Sequence, residues 1–486
     1  MNWKMIIKII AYILLVELVL MIPACLISVV DHESAAVSGF LWTFLIMLIV
    51  SGLMLVFTRN AVKGKFYARE GLVTTGLTWI VMSALGCLPF VISGTIPSFI
   101  DAMFEMVSGF TTTGSSILKS VEDVARGLLW WRSFSHWVGG MGILVFLMSI
   151  VRLGGKSQGF SLHILRAESP GPAVGKMTPK MKDTASILYL LYIGLTILNI
   201  FFLVIGGMPL FDACCTAFGT AGTGGFGIKN DSMASYSPYL QNVTTIFMLL
   251  FSCNFSVYYL FVIRKVREGL ADEEFKLFWT IVLCSILAMF IAVIPNYSTL
   301  EEALRHAAFT VATIISTTGY ATTDFNKWSP FTHALILFLM FCGACAGSTG
   351  GGIKQVRLLV LWRTLRRNIH KSLHPTEVRT IMVNHRPVDE QIVNNISAYL
   401  IVYVIIIITS VLVVSLDGFS FETNFSAVMA TFNNIGPGLG AVGPASNFSA
   451  YSNLSKIVMT IDMLAGRLEI YPILILFSRS TWKKAR

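Results

Sequence analysis

The sequence predicts an all-α polytopic membrane protein with ten transmembrane helices, and two observations support that class. Hydrophobic residues make up 55% of the 486 residues and charged residues only 13%, a balance that water-soluble domains do not tolerate. The chain also contains ten apolar stretches close to the roughly 20 residues that a helix needs to cross a hydrocarbon core about 30 Å thick. These predicted spans cover residues 5–30, 38–58, 71–94, 126–151, 184–206, 240–263, 275–295, 330–353, 395–416 and 454–478.

The last eight spans form four consecutive pairs, and between the two spans of each pair lies a helix too short to cross the membrane. We predict these re-entrant helices at 98–110, 210–221, 301–315 and 422–432. The chain then divides into two leading helices at 1–65 and four units with the order span, re-entrant helix, span, at 66–165, 175–270, 271–370 and 390–486. Because each unit begins and ends on the same side of the membrane, we expect the four units to surround one pore along the membrane normal.

Positive charge is concentrated in alternate loops and at both ends of the chain. Of the 36 Lys and Arg residues, 28 fall in 1–8, 59–69, 152–182, 264–276 and 354–386, or after residue 478. Positively charged loops resist translocation, so these segments and both termini are predicted to be cytoplasmic. A nucleic-acid-binding role does not fit, because no basic cluster is interleaved with aromatic residues.

Each re-entrant helix runs into a turn rich in threonine and glycine. The turns align at glycines spaced by 111, 94 and 117 residues. The candidate ion-binding residues are Thr112, Thr113 and Gly114 in turn 1, Thr223, Gly224 and Gly225 in turn 2, Thr317, Thr318 and Gly319 in turn 3, and Asn434, Ile435 and Gly436 in turn 4.

The alignment of turn 2 is ambiguous in the sequence. Gly222, Gly224 and Gly225 all lie close together. We choose Gly225 because Thr-Gly-Gly-Phe226 then matches Thr-Thr-Gly-Tyr320 of turn 3.

Glycine turns of this kind suit the dehydration of a cation. Backbone carbonyls from several loops can replace its hydration shell, and glycine adopts the required backbone angles at little cost. The C-terminal end of each re-entrant helix would add a partial negative charge, in keeping with acids near the N-terminal ends at Asp101, Asp212 and Glu422. The third re-entrant helix differs from the other three, because His306 occupies the position of the acid and Glu301 and Glu302 lie one turn earlier. The alternative is that the glycines serve only close helix packing, which four equivalent copies disfavour.

Over essentially its whole length the chain resembles the Trk/Ktr/HKT superfamily of potassium transporters, and within it the TrkH/TrkG type with two extra leading helices. The resemblance rests on the four turns, Trp137-Val-Gly-Gly-Met-Gly142, the run from Gly343 to Lys354, and Asn433-Asn-Ile-Gly-Pro-Gly438. It implies four M1-P-M2 units like those of a potassium channel and a homodimer in a bacterial plasma membrane. It also implies K⁺ as the transported ion without a bound cofactor, selected over Na⁺ by glycine at all four filter positions, and a TrkA-type nucleotide-binding regulatory protein on the cytoplasmic side.

A glycine-rich run interrupts the predicted span at 330–353. So many glycines should break a helix, and a broken helix facing a cavity can form a flexible loop. In the family this loop blocks the pathway, so the resemblance implies a gate; the alternative is a kink that accommodates a neighbour. The candidate gate residues are Gly347, Ser348, Thr349, Gly350, Gly351, Gly352, Lys354 and, in the last span, Arg467.

Arg467 is a candidate because an arginine within a span is costly and generally faces a cavity or a partner. The family places an arginine here as an electrostatic barrier below the filter. A structural ion pair with Asp462 or Glu469 is the alternative.

The sequence predicts a gated pore driven by the membrane potential, and two other functional classes are its alternatives. A K⁺/H⁺ or K⁺/Na⁺ symporter is the closer rival, but alternating access would need a carboxylate or histidine at the membrane midplane, and the sequence offers no convincing one. An enzyme is not expected, because the sequence shows no arrangement of a nucleophile with a base.

Overall fold

The computed structural model describes residues 1–59, 67–140, 142, 181–377 and 379–482, and these residues are mostly helical. The two leading helices, Trp3–Val30 and Ser34–Phe57, pack against each other, and the first also packs against Ala68–Gly86 and Arg126–Gly140. The single sheet of the described residues is a hairpin in which Met382–Val383 pairs with Arg386–Pro387.

Six helices in the described ranges are long and apolar enough to cross a membrane, or seven when one sharply bent pair is included. The six are Trp3–Val30, Ser34–Phe57, Ala68–Ile92, Ser186–Ile205, Glu273–Asn296 and Glu390–Asp417. Their outward faces carry exposed apolar side chains at helical spacing, for example Leu283, Leu287 and Ile291. Such faces are suited to contact with lipid, and the chain is a multi-pass membrane protein.

The prediction of continuous spans was wrong at two places. The predicted span 240–263 consists of Pro238–Ser252 and Phe255–Val262, bent by 93°. The predicted span 454–478 consists of Asn453–Arg467 and Tyr471–Phe477. Of the predicted span 126–151, the helix Arg126–Gly140 is described, and most of the remainder lies outside the described residues.

The predicted break in the span 330–353 is confirmed. Helix Pro330–Cys342 ends at Gly343, and the next helix, Gln355–Leu373, begins after Lys354. Residues 343–354 between them are named the crossing loop.

The four short helices are confirmed at Phe99–Phe110, Leu210–Gly222, Leu300–Ile315 and Phe421–Phe432. Ser98, Thr299 and Ser420 cap three of them, each accepting a backbone N–H with its hydroxyl. The second begins after Pro209 and has no side-chain cap. Most residues of the four helices are buried, which places their C-terminal turns inside the protein.

Three long helices make up most of spans already named: Met181–Ile205, Glu273–Val293 and Glu390–Val414. The remaining elements are short, and they are the α-helices Leu88–Ile92, Val266–Ala271 and Arg479–Trp482 and the 3₁₀ turns Ile294–Asn296, Phe325–Lys327, Ser415–Asp417 and Gly440–Val442.

Candidate ion pathway

The four turns share one backbone conformation. In each, the residue two positions before the aligned glycine has a positive φ: 56° at Thr112, 57° at Thr223, 59° at Thr317 and 56° at Asn434. The aligned glycines follow with φ of 83°, 69°, 89° and 103° in chain order. Positive φ is uncommon outside glycine, so its recurrence at four matching positions indicates one local structure used four times.

The same hydrogen bond closes every turn. The backbone N–H just before the aligned glycine donates to the carbonyl five residues earlier, at 2.8 Å from Thr113, 2.8 Å from Gly224, 2.9 Å from Thr318 and 2.8 Å from Ile435. This is the closure expected where a helix ends in a left-handed residue. It selects Gly225 for turn 2, as predicted.

Gly222 and Gly224, the other two candidates for the aligned glycine of turn 2, have a different role. A Cβ atom on either residue would overlap His136, on the carbonyl or the ring. The imidazole of His136 is fully buried, and its centroid lies 4.1 Å from that of the Phe226 ring, with the two rings tilted by 52°. These two glycines therefore provide close packing against the helix Arg126–Gly140.

The turns contact one another in cyclic order. A Cβ atom on Gly114 would overlap the carbonyl oxygen of Gly224, and one on Gly225 would overlap that of Thr318. A Cβ atom on Gly319 would overlap the carbonyl oxygen of Ile435. The circle closes between turns 4 and 1, where a Cβ atom on Gly436 would lie 3.0 Å from the carbonyl oxygen of Thr113. The four turns thus form a ring in which each aligned glycine faces a neighbouring carbonyl.

Side chains also join turn 4 to turn 1. Asn434 donates to the hydroxyl of Thr113 at 2.8 Å, and the hydroxyl of Ser115 donates to the carbonyl of Gly436 at 2.9 Å. Asn434 stands where the other turns have threonine, and asparagine tolerates the left-handed conformation better than most residues. This contact accounts for the departure of turn 4 from the threonine pattern.

A buried ion pair joins turns 1 and 2. Arg132 and Glu105 are 3% and 1% exposed, with Nε 2.6 Å from Oε1. Glu105 also accepts the backbone N–H of Ile117, and Arg132 donates to the carbonyl of Gly227 and lies 3.4 Å over the ring of Phe226. A charged pair so buried remains stable only when such additional bonds satisfy it.

The crossing loop lies against two of the turns. The N–H of Gly351 donates to the hydroxyl of Thr317 at 2.7 Å, and the N–H of Gly352 donates to the carbonyl of Asn433 at 3.1 Å. On another side, Cys345 donates to the carbonyl of Ser252 at 3.1 Å, at the bend in the pair 238–262.

Arg467 connects the crossing loop with the first unit. Its guanidinium donates to the carbonyl of Thr349 at 2.7 Å and to those of Gly139 and Gly140 at 2.5 and 2.6 Å. The loop therefore contacts residues of units 2, 3 and 4 directly and reaches unit 1 through this arginine.

The other charged groups considered with the gate have separate partners. Glu469 pairs with Arg357, and Asp462 accepts from the hydroxyl of Ser410 at 2.9 Å. Lys354 is buried and donates to the carbonyl of Gly350 inside the loop. Ser348 likewise donates to the carbonyl of Cys345 at 2.6 Å. Of the candidate gate residues, Gly350, Gly351 and Gly352 therefore lie against turns 3 and 4, and the others contact the loop itself or the helices beside it.

Sequence reasoning missed the groups that hold these parts in place. Glu105 gave a usable signal, since it is an acid inside an apolar re-entrant helix. Glu274, which contacts the crossing loop, gave none, because it follows Asp272 and Glu273 at a helix start where acids are ordinary. The acceptor carbonyls of Gly139, Gly140 and Asn433 have no side-chain signature.

Comparison with known proteins agrees with this arrangement. The sequence profile of the TrkH family, described as cation transport protein, matches residues 38–484. The chain belongs to the TrkH family. It is therefore a transporter rather than an enzyme, and its resemblance to the Trk/Ktr/HKT superfamily is confirmed.

Relatives of this TrkH-family chain match it from end to end. The Trk system potassium uptake protein TrkH of Vibrio parahaemolyticus is 34% identical over 99% of this chain and 100% of the relative, and the TrkH of Salmonella typhimurium is 32% identical over the whole of both chains. Among solved structures, the crystal structure of the potassium transporter TrkH from Vibrio parahaemolyticus superposes with a TM-score of 0.88, covering 99% of this chain and 100% of the other at 32% identity.

Proposed function

We propose that this chain takes up potassium across a bacterial plasma membrane through a gated, four-turn selectivity filter. The observation that carries the proposal is the ring in which each aligned glycine faces a carbonyl of the neighbouring turn. Main-chain oxygens arranged around one axis can replace the water around a bare K⁺ ion without introducing fixed negative charge. A relative similar over its whole length is named a potassium uptake protein, and a similar solved structure is named a potassium transporter.

In this proposal four M1-P-M2 units, together with the two leading helices, give ten membrane-crossing segments, several of them broken. The twelve residues of the turns form the filter, and the crossing loop and Arg467 form the gate beneath it. The guanidinium charge of Arg467 would also raise the electrostatic barrier to a cation below the filter. Flux would be driven by the membrane potential, which at about 2.3 kcal/mol per charge per 100 mV supports roughly 50-fold accumulation.

We further propose that the chain acts as a homodimer with both termini in the cytoplasm. A TrkA-type nucleotide-binding protein would dock on the cytoplasmic side and control the loop. The basic segments at 264–276 and 354–386 give that side its positive charge. The relatives are named as proteins of a Trk system, and membership of such a system supports an associated regulatory protein.

A K⁺/H⁺ symporter is the second candidate, and one observation favours it. Glu17 is fully buried, and neither of its carboxyl oxygens has a hydrogen-bond partner among the residues that the structure describes. A carboxyl group in such surroundings is a candidate proton carrier. Reversal potentials in a reconstituted bilayer separate the two: a channel follows the K⁺ Nernst potential, whereas a symporter deviates from it with pH.

The deciding experiment is K⁺ or ⁸⁶Rb⁺ uptake in a strain that lacks its own potassium uptake systems. The wild-type chain should restore growth at low K⁺ and carry Rb⁺. Gly114→Ser should weaken discrimination against Na⁺, because the new side chain would overlap a carbonyl of turn 2. A wild-type chain that is expressed with its partner and carries neither ion would overturn the proposal.

A further inference from the structure

Glu274 lies at the start of a span but does not serve as its cap. The helix Glu273–Val293 follows Asp272, whose carboxylate accepts the N–H of Phe275 at 2.8 Å. Glu274 is 5% exposed and faces the protein interior. Its Oε1 accepts the backbone N–H of Ala346 at 2.6 Å and that of Val356 at 3.1 Å.

Those two N–H groups flank the blocking part of the crossing loop. Ala346 precedes the run of glycines that reaches the turns, and Val356 lies in the first turn of the helix after the loop. One carboxylate oxygen therefore fixes where the loop begins and where it ends. Residues at the bend of the pair 238–262 contact the same part of the protein. The amide nitrogen Nδ2 of Asn254 lies 3.5 Å from Oε2 of Glu274, and the backbone N–H of Phe255 donates to the carbonyl of Gly347 at 3.2 Å.

The neighbouring acid provides a contrast within the same helix turn. Glu273 faces the other way, pairing with Arg363 at 2.9 Å and accepting the N–H of Asn384 in the β-hairpin at 2.8 Å. Two adjacent carboxylates thus hold different parts of the protein. Only that of Glu274 contacts the crossing loop.

We propose that Glu274 is a positioning residue that keeps the crossing loop beneath the ring. This inference rests on the proposed function, in which the loop in this position blocks conduction. Without the carboxylate, two backbone N–H groups lose their acceptor in the blocking position, and buried groups left unpaired are costly. The loss disfavours the blocking position relative to any in which those N–H groups reach water, so the loop leaves the pathway more often.

The test is ⁸⁶Rb⁺ flux per molecule of purified protein in liposomes at a fixed membrane potential. Glu274→Ala should raise flux at least about tenfold, since the loss of even one of its two hydrogen bonds to a charged group corresponds to that change. Glu274→Gln keeps an oxygen that accepts both N–H groups and should behave like the wild type. The preference for Rb⁺ over Na⁺ should not change, since the turns are untouched. Glu273→Ala, the matched control, should leave flux unchanged.

Rescue by glutamine separates positioning from a general structural effect. Equal flux in Glu274→Ala and wild type, or high flux in Glu274→Gln, would overturn the inference. If the alanine variant does not fold, Glu274→Asp takes its place: its shorter side chain cannot hold both N–H groups, and flux no higher than in Glu274→Gln contradicts the inference. Absence of Rb⁺ flux in both the wild type and Arg467→Ala would instead count against the proposed function.

Discussion

The ring of turns and the crossing loop lie in direct contact but are held in different ways. The ring is built from one local structure used four times, closed by the same backbone hydrogen bond in each turn. The crossing loop occurs once, and several of its bonds come from side chains, including those of Thr317, Glu274 and Arg467.

This difference indicates which part can move. Shifting one turn would disturb two neighbours, because every turn contacts the next around a closed circle. Releasing the loop requires only the loss of a few polar contacts to groups that keep their own positions. These contacts support the proposed function, in which the ring stays fixed and selects the ion while the loop moves.

The largest effect is expected from a change that breaks the ring. In Gly225→Ala the added methyl group overlaps the carbonyl of Thr318, at a residue whose φ is 69°. Overpacking of this kind costs about 1–3 kcal/mol, and the left-handed conformation costs about 1–2 kcal/mol more. We expect K⁺ uptake to fall by at least about tenfold, measured in the uptake-deficient strain.

Gly207→Ala is the control for that change. Gly207 has a φ of 84° but no heavy atom within 4 Å of an added Cβ, so it carries the same backbone strain without the overlap. Its uptake should stay near that of the wild type. Equal losses in the two variants would show that left-handed strain, and not contact between turns, makes the ring glycines necessary.

Much of the ring could be predicted from the sequence because its signal is local and repeated. The four short helices and the register of three turns follow from the pattern of threonine and glycine, and the register of turn 2 follows from the match of the residues around Gly225 to turn 3. The cyclic contact between turns could only be expected by symmetry, since no pattern within one copy specifies its neighbour.

The breaks in two spans depend on distant contacts, and only the second has a local signal. Cys253 and Asn254 at the first break are neither glycine nor proline, whereas Pro472 lies in the first turn of the helix that follows the second break, where proline is favoured. At the first break, the carbonyls of Phe251 and Ser252 accept hydrogen bonds from the crossing loop, almost 100 residues later. At the second, Ile470 adopts a φ of 67°, which a β-branched residue rarely does without tertiary support.

A smaller effect, of opposite sign, is expected from Arg467, which the proposed function assigns to the gate. Arg467→Ala removes donors to Thr349, Gly139 and Gly140 and, in that proposal, a positive charge from the pathway. Because a hydrogen bond to a charged group is worth about 1.5–3 kcal/mol, we expect Rb⁺ flux per molecule to rise about tenfold with unchanged ion preference. Arg126→Ala, which removes an exposed pair with Asp31, should not change flux. Unchanged flux in Arg467→Ala would remove this residue from the gate.

The smallest effect is expected from Gly351→Ala, at the contact between the crossing loop and the ring of turns. This change also tests most directly which of the two is rigid. A Cβ atom on Gly351 would overlap the carbonyl of Asn433 and lie 3.2 Å from the Cβ of Asn434, so either the loop or turn 4 must yield. If the loop is the softer part, Rb⁺ flux rises by roughly threefold to tenfold, within the cost of overpacking, while the preference for Rb⁺ over Na⁺ is retained. Gly52→Ala, at a helical glycine with open space around it, is the control and should leave both quantities unchanged. Should the ion preference fall while flux stays constant, turn 4 has moved and the loop has not, and the assignment of rigid and mobile parts is reversed.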